Sequence, residues 1–227
     1  MDLVIANGEN AAGGKGLTPG TADELMQAGV DIITSGNHIW EHRDVYPMLD
    51  TEAPILRPLN YPDGSPGRGY LRLGDVAVIN LMGRVFMPGD IDCPFRGADM
   101  ALEHLSGVKV ILVDMHGEAS SEKIAMGWHL AGRVSAVFGT HTHVATADTR
   151  ILPGGTAYVT DLGMTGPRDG IIGMEREVVL QRFLTQMPNR FTAVEKGPAV
   201  FSSVLFDIDV TSGRARSVRR LDCELEA

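Results

Sequence analysis

Short runs of apolar residues recur along the chain, and most of them end in a cluster of Gly, Asn, His or Ser. Four such runs span residues 3–6, 31–34, 108–113 and 136–138. The runs are continuous and do not alternate with polar positions, which is typical of strands that are buried on both faces of a sheet. The pattern therefore predicts a central sheet covered on both sides.

Helices are predicted between these strands from their end signals. Thr18 and Pro19 form an N-cap followed by proline at the first helical position, and Gly29 stands where a helix would stop. Two further helices are predicted over residues 121–131 and 175–185. Because strands and helices alternate, the fold class predicted is a layered α/β fold.

Two β-hairpins are predicted where glycines separate short apolar runs. One joins residues 70–73 to residues 76–81, and the other joins residues 150–152 to residues 158–160. Residues from 191 onward also have a strand-like pattern. These hairpins are additions to the central α/β layers.

Composition favours a soluble globular protein with one core, because 44% of the 227 residues are hydrophobic. The chain contains no linker or repeat, so residues 1–227 are predicted to form a single domain. Cys93 and Cys223 are isolated thiols, which favours a reducing, cytoplasmic location over a disulfide framework. No apolar run approaches the roughly 20 residues of a membrane span, and no membrane partner is expected. The net charge of −9 argues against an overall basic surface of the kind that binds nucleic acid.

Polar residues that follow the four buried runs are the candidates for chemistry. In open α/β sheets, ligands bind beyond the carboxyl ends of the strands, so these side chains are expected to meet there. Carboxylate, amide and imidazole groups together suit iron, manganese or zinc. Two such cations, about 3.5–4 Å apart, can activate a water and clamp phosphoryl oxygens. The candidate ligands are Glu9, Asn10, Asn37, His116, His141 and His143.

Single residues of this set have simpler interpretations. An Asn or His after a strand is most often a turn former, and only the joint occurrence of the four clusters favours a metal centre. His141 and His143 are two residues apart, so an extended loop would point both imidazoles to the same side. His38 is a candidate to protonate a leaving oxygen. The sequence assigns no substrate-binding residue.

At these clusters the sequence closely resembles the YmdB-like branch of the calcineurin-type metallophosphoesterases. The resemblance covers essentially the whole chain. It implies a layered calcineurin-like fold and hydrolysis of 2′,3′-cyclic nucleotides, or related phosphodiesters, by a metal-bound hydroxide. The matching segments are residues 7–12, 36–38, 57–62, 116–123, 139–144 and 163–167.

The resemblance also implies a role for each candidate residue. Two transition metals are implied, usually iron or manganese, with zinc as a further option. Glu9 matches the carboxylate that bridges them, and His38 matches the histidine that assists departure of the leaving group. The ligands of one metal match Asn37, His116 and His141, whereas His143 matches a ligand of the other, with Asn10 beside it.

Family members begin with a strand that ends in Gly-Asp, followed by a helix, and their aspartate binds the metal held by the residue that matches His143. Nothing precedes Met1 here, so the resemblance implies that one strand–helix unit, on the order of 30 residues, is missing. An alternative is therefore a non-catalytic regulatory or scaffolding homologue with a degenerate metal site. A phosphomonoesterase is a further alternative. The expected partner is a small phosphodiester or cyclic nucleotide; RNA ends and a second copy of the chain are further options.

Overall fold

The computed structural model describes residues 1–226. The strands are β1 (Ile5–Asn7), β2 (Ile32–Thr34), β3 (Tyr70–Leu73), β4 (Val76–Met82), β5 (Val110–His116), β6 (Ala136–Thr140), β7 (Arg150–Leu152), β8 (Thr156–Val159), β9 (Gly166–Pro167), β10 (Ala199–Phe201), β11 (Val204–Ile208), β12 (Ala215–Arg220) and β13 (Cys223–Leu225). The α-helices are α1 (Pro19–Gln27), α2 (Tyr46–Leu49), α3 (Pro94–His104), α4 (Ser120–Leu130) and α5 (Arg176–Thr185), and two short 3-10 helices span Asn37–Trp40 and Arg43–Val45. Within residues 1–226, no helix has the length and apolar character needed to cross a bilayer.

Six strands form the central sheet in the order β3-β4-β5-β6-β8-β7. The inner strands β4, β5, β6 and β8 pair in parallel, whereas β3 and β7 are antiparallel strands at the two edges. Every residue of β5, β6 and β8 is buried. The prediction of a covered sheet from continuous apolar runs is therefore confirmed. The two predicted hairpins are present, but one strand of each belongs to the sheet interior.

Different layers cover the two faces of this sheet. On one face, Ala98 of α3 and Met126 of α4 pack in the same buried cluster as Val113 of β5. On the other face, Phe206 of β11 and the neighbouring β12 pack against a cluster that contains Phe138 of β6. Burial of a large apolar side chain contributes about 1.5–3 kcal/mol, so the hairpin β11–β12 supplies a layer comparable to a helix.

Strands β1 and β2 form a separate parallel pair that side chains join to the central sheet. Asn7 Nδ2 and Thr34 Oγ1 donate hydrogen bonds to Asp114 Oδ2 of β5, at 3.1 and 2.5 Å. The Ser35 N–H donates to Asn80 Oδ1 of β4 at 2.9 Å. These bonds place the carboxyl ends of β1 and β2 beside those of β4, β5 and β6.

The boundaries of several elements differ from the sequence-based predictions. Helix α1 begins after Thr18, whose hydroxyl accepts a hydrogen bond from the Thr21 N–H, as its cap signal predicted. Strand β5 extends three residues beyond the apolar run 108–113 and ends at His116. The strand can continue because donors from other strands satisfy the Asp114 carboxylate.

Candidate metal centre

The polar residues singled out in the sequence lie at the carboxyl ends of four strands. Glu9 follows β1, Asn37 begins the 3-10 helix after β2, His116 is the last residue of β5, and His141 follows β6. The structure brings these four side chains together, and we call them the inner cluster. Asn10, His38 and His143 lie beside them and form what we call the outer cluster.

The inner cluster is centred on Nε2 of His116. Glu9 Oε2 lies 2.8 Å from this nitrogen, His141 Nδ1 lies 3.1 Å away, and Asn37 Oδ1 lies 3.3 Å away. Glu9, His116 and His141 each present a ligand atom, and these three atoms lie within 4.8 Å of one another. Two imidazoles, one carboxylate and one amide oxygen therefore converge on one small region.

Hydrogen bonds on the far sides of the rings determine which nitrogens are free. His116 Nδ1 lies 2.9 Å from Thr140 Oγ1, and because that hydroxyl donates to Asp114 Oδ1 at 2.7 Å, Nδ1 carries a proton. His141 Nε2 lies 3.2 Å from a carboxylate oxygen of Glu118. His116 Nε2 and His141 Nδ1 are therefore the ring nitrogens that face inward, where a metal would bind them.

Four atoms that carry lone pairs thus converge on one small region. Lone pairs at 2.8–3.3 Å repel unless a cation lies among them. A proton can serve this purpose between two atoms, but a metal ion can satisfy all four at once. The types of these ligand atoms and their orientation therefore fit a transition metal.

A glycine makes room for the central imidazole. If Gly36 carried a Cβ, that atom would lie 2.1 Å from His116 Nε2, far inside any allowed contact. The backbone between β2 and Asn37 can therefore approach the His116 ring only because residue 36 has no side chain.

Glu9 is buried and ionised. Burial by itself raises the pKa of its carboxyl, but the charge and hydrogen bond of His116, together with the His38 N–H and the charge of His38, outweigh burial and lower the pKa to about 2. The His38 N–H donates to Glu9 Oε1 at 2.9 Å, so the second carboxylate oxygen is also held. A carboxylate with both oxygens fixed and charged is suited to contact two cations.

His141 is neutral over the physiological range. Burial lowers the pKa of its imidazole to about 4, and the charge of His116 acts in the same direction, against the attraction of Glu9. A histidine must lose its proton to bind a metal. The inner cluster therefore presents His141 in the form that a ligand requires.

Asn10 connects the two histidines of the outer cluster. Its Oδ1 accepts a hydrogen bond from His38 Nδ1 at 2.9 Å, and its Nδ2 donates to His143 Nε2 at 3.1 Å. The other nitrogen of His143, Nδ1, donates to the carbonyl oxygen of Ile172 at 3.0 Å. The Nε2 atom of His143 therefore points towards the inner cluster, and in this structure it accepts the hydrogen bond from the Asn10 amide. The assignment of Asn10 as a ligand stays a prediction.

His38 is neutral at neutral pH, with its single proton on Nδ1. Burial lowers the pKa of its imidazole and Lys15 adds to that effect, whereas Glu9 opposes it. His38 Nδ1 lies 3.6 Å from Glu9 Oε1. Because the pKa is lowered, this contact is not an ion pair at neutral pH. Nδ1 donates to Asn10, which leaves Nε2 free to exchange a proton with a ligand.

The loop that carries two of these histidines is strained. His141 has φ 107° and His143 has φ 66°, and both values lie in the left-handed region that favours glycine. Such conformations cost about 1–3 kcal/mol each and persist where the surroundings determine them. Histidine is enriched among non-glycine residues in this region, but most histidines do not adopt it, so the residue types alone did not predict this strain.

Sequence reasoning also missed the residues that orient the ligands. Asp114 and Thr140 lie inside buried strands and have the pattern of core positions. One signal was present: Asp114 is two residues before His116, and alternate residues of a strand point to the same face. Glu118, two residues after His116, has no comparable signal.

Comparison with known proteins places this centre in a family context. The profile of a family described as YmdB-like protein matches residues 1–221. The 2′,3′-cyclic-nucleotide 2′-phosphodiesterase of Bacillus subtilis is 50% identical over 224 residues, which are 96% of this chain and 84% of that protein. A putative phosphatase/phosphodiesterase of Mycoplasma pneumoniae is 36% identical, with 93% of this chain and 78% of the relative covered.

Two solved structures share the fold over nearly their whole length. A hypothetical protein from Thermus thermophilus superposes with a TM-score of 0.93 at 46% identity, covering 100% of this chain and 89% of the other. A novel phosphatase from Mycoplasma pneumoniae superposes with a TM-score of 0.92 at 33% identity, covering 99% and 83%. These matches confirm the layered α/β fold of the metallophosphoesterase type.

Proposed function

Since the chain belongs to the family of YmdB-like proteins, we propose that it hydrolyses phosphodiester bonds in 2′,3′-cyclic nucleotides or related small phosphodiesters. The Bacillus subtilis relative that carries this activity in its name is 50% identical. The observation that carries the proposal is the inner cluster, in which Glu9 Oε2, His141 Nδ1 and Asn37 Oδ1 lie 2.8–3.3 Å from His116 Nε2. A centre of this kind is suited to metal-assisted hydrolysis.

Two transition metals fit the residues present, with iron or manganese preferred to zinc. Glu9 would contact both, Asn37, His116 and His141 would complete one site, and His143 would belong to the other. When bound, two such ions activate water and neutralise charge on the phosphoryl oxygens. Asn10 then holds His38 and His143 at a fixed separation through its two amide atoms.

His38 is proposed to supply the proton that the leaving oxygen needs. Hydrolysis adds one water across the P–O2′ bond: the phosphorus keeps the oxygen of water, the bond to O2′ breaks, and O2′ takes a proton. His38 Nε2 can deliver this proton because Nδ1 is engaged with Asn10. Its lowered pKa makes the imidazolium a stronger acid, and the negative charge of a bound phosphodiester favours its protonation. The product is the 3′-nucleotide.

The test is turnover of a 2′,3′-cyclic nucleotide by protein that has been stripped with chelator and reloaded with Mn²⁺, Fe²⁺ or Zn²⁺. We expect a 3′-nucleotide as product and activity only after metal is restored. A reloaded protein that leaves both 2′,3′-cyclic nucleotides and bis(4-nitrophenyl) phosphate intact would overturn the proposal.

Phosphomonoesterase activity is the second candidate, because the Mycoplasma pneumoniae relative is named a putative phosphatase/phosphodiesterase. The same metals serve both reactions. Comparing kcat/KM for a cyclic nucleotide with that for 4-nitrophenyl phosphate separates them, and we expect the diester to be preferred.

We further propose that the chain folds as one domain in the cytoplasm. Asp114 of β5 accepts hydrogen bonds from β1 and β2, which joins the small sheet to the large one. Cys93 and Cys223 are free thiols, which suits a reducing compartment. A single cooperative unfolding transition is expected in the metal-free protein.

A further inference from the structure

A buried ion pair lies beneath the loop that carries His141 and His143. Lys123 of α4 and Asp161, which follows β8, bring Nζ and Oδ2 to 2.7 Å, and each side chain is only 1% exposed. Lys123 reaches this position across Gly139, where a Cβ would lie 2.7 Å from the lysine Cδ. Replacing a buried ion pair with apolar residues is often neutral or stabilising. Stability alone therefore does not account for this pair.

Both partners of the pair bind the loop. Asp161 Oδ2 accepts hydrogen bonds from the Thr142 hydroxyl at 2.8 Å and from the Thr142 N–H at 3.1 Å. Asp161 Oδ1 accepts from the Gly163 N–H at 2.9 Å. Lys123 Nζ also donates to the carbonyl oxygen of Thr140 at 3.4 Å. One carboxylate thus fixes two loops, and one ammonium group fixes the carboxylate.

Thr142 is the residue between the two strained histidines. A left-handed conformation on each side of it persists only where the surroundings determine the backbone. Asp161 holds Thr142 by its backbone and by its side chain at once. Contacts at the outer end add to this, since the Met164 N–H donates to the carbonyl oxygen of His143 at 3.3 Å.

We propose that Lys123 and Asp161 are positioning residues that hold the His141–His143 loop in the conformation that presents both imidazoles to the metals. This inference rests on the proposed function. Lys123 holds the carboxylate in place, the carboxylate fixes Thr142, and Thr142 sets the directions of its two neighbours. The hydrogen bonds of Asp161 to the loop go to Thr142 and not to the imidazoles, so the pair acts through the backbone.

The decisive variant replaces the whole pair with apolar residues, as Lys123→Met together with Asp161→Leu. We expect it to fold without metal, because both charges of the pair are removed together. Its affinity for Mn²⁺, measured by calorimetry, should fall about 10–100-fold, the usual cost of losing a group that orients a ligand. In the metal-free protein, the NMR signals of the His141 and His143 rings should move while those of His104 stay unchanged.

The exposed ion pair of Asp99 and Arg133, also 2.7 Å long, supplies the matched control. Removing it by Asp99→Asn with Arg133→Gln should leave Mn²⁺ affinity and the two ring signals unchanged. A folded Lys123→Met/Asp161→Leu protein with wild-type affinity and wild-type ring signals would overturn the inference.

A milder pair of variants covers the case in which the double replacement does not fold. Thr142→Ser keeps the hydroxyl that Asp161 accepts from, whereas Thr142→Val removes it at nearly constant shape. We expect Thr142→Val alone to shift the ring signals and to weaken Mn²⁺ binding several-fold; identical behaviour of the two variants contradicts the inference. The NMR measurement uses neither metal nor substrate, so a wild type that hydrolyses no phosphodiester refutes the proposed function and leaves this test intact.

Discussion

The inner and outer clusters are neighbours that are built in different ways. In the inner cluster, Glu9 and His116 are 2% and 1% exposed, and second partners fix both. In the outer cluster, the His38 side chain is 30% exposed, and Asn10 is the link between His38 and His143. The buried cluster is prepared to bind a cation before any ligand arrives. The open cluster is prepared to meet a substrate.

Because of this difference, we expect the inner cluster to determine the affinity for metal and the outer cluster to determine the catalytic rate. Substitutions in the inner cluster should remove metal, because few atoms there can move to replace a lost ligand. Substitutions in the outer cluster should change rate and pH dependence while metal at the inner cluster remains. The following predictions test that division, from the largest expected effect to the smallest.

Glu9→Gln should abolish binding of both ions, since one carboxylate is proposed to contact both. The phosphodiesterase rate should fall on the order of 10⁴-fold, because metals supply several kcal/mol and each 1.36 kcal/mol is about a factor of ten. Elemental analysis of the purified protein provides the measurement. Glu103→Gln is the control, because this carboxylate is exposed on α3 and lies outside both clusters. Full occupancy in Glu9→Gln would refute the bridging assignment.

His38→Ala should retain metal but lose about 10²–10⁴-fold in kcat for a 2′,3′-cyclic nucleotide, the usual contribution of general acid catalysis. The loss should be much smaller for bis(4-nitrophenyl) phosphate, whose leaving group needs no proton. His104→Ala, at an exposed histidine stacked on Tyr70, serves as the control. Equal losses on the two substrates would indicate that His38 positions the metal or the fold.

Acid should destabilise the metal-free protein through His141. Its pKa in the folded state is about 4 and lies below the unfolded value of 6.5, so the unfolded state binds more protons between these values. The stability that this group contributes is present above pH 6.5 and is lost as the pH falls towards 4, by about 2 kcal/mol after allowance for partial exposure. Glu9, with a pKa of about 2 in place of 4.5, adds a further loss at lower pH.

Urea unfolding at a series of pH values measures this loss. In His141→Gln, the free energy of unfolding should vary less between pH 6.5 and 4, while the decline below pH 4.5 remains. Parallel curves for wild type and variant would exclude His141 as the cause.

Asn10→Ala should have the smallest effect, about tenfold in kcat, because a hydrogen bond contributes about 0.5–1.5 kcal/mol. The variant loses the bonds to His38 and His143 but keeps the inner cluster intact. Asn10→Asp keeps the acceptor for His38 and should recover part of the rate. If Asn10→Ala instead loses one equivalent of metal, Asn10 is a ligand, as the family resemblance implies.

Residue type and strand position together made the centre predictable. Glu9, Asn37, His116 and His141 each follow or end an apolar run, and parallel strands bring their carboxyl ends to one edge. The runs themselves predicted the covered sheet. Local signals of this kind depend only on neighbours in the chain.

What the sequence could not supply is the set of contacts made between distant segments. Asp114 and Thr140, which are hydrogen-bonded to each other, occupy positions with the pattern of core strands. The ion pair of Lys123 and Asp161 joins residues that are 38 positions apart. Helix α3 was missed because Cys93, its N-cap residue, makes no capping bond and Gly97 lies inside the helix. These features become visible only after the layers are assembled.

The geometry of the inner cluster depends on the absence of a side chain at Gly36. Any side chain at this position would occupy the space in which His116 presents its free nitrogen, because a Cβ would lie 2.1 Å from that atom. A single methyl group at position 36 would therefore be enough to displace the imidazole on which the proposed metal centre depends.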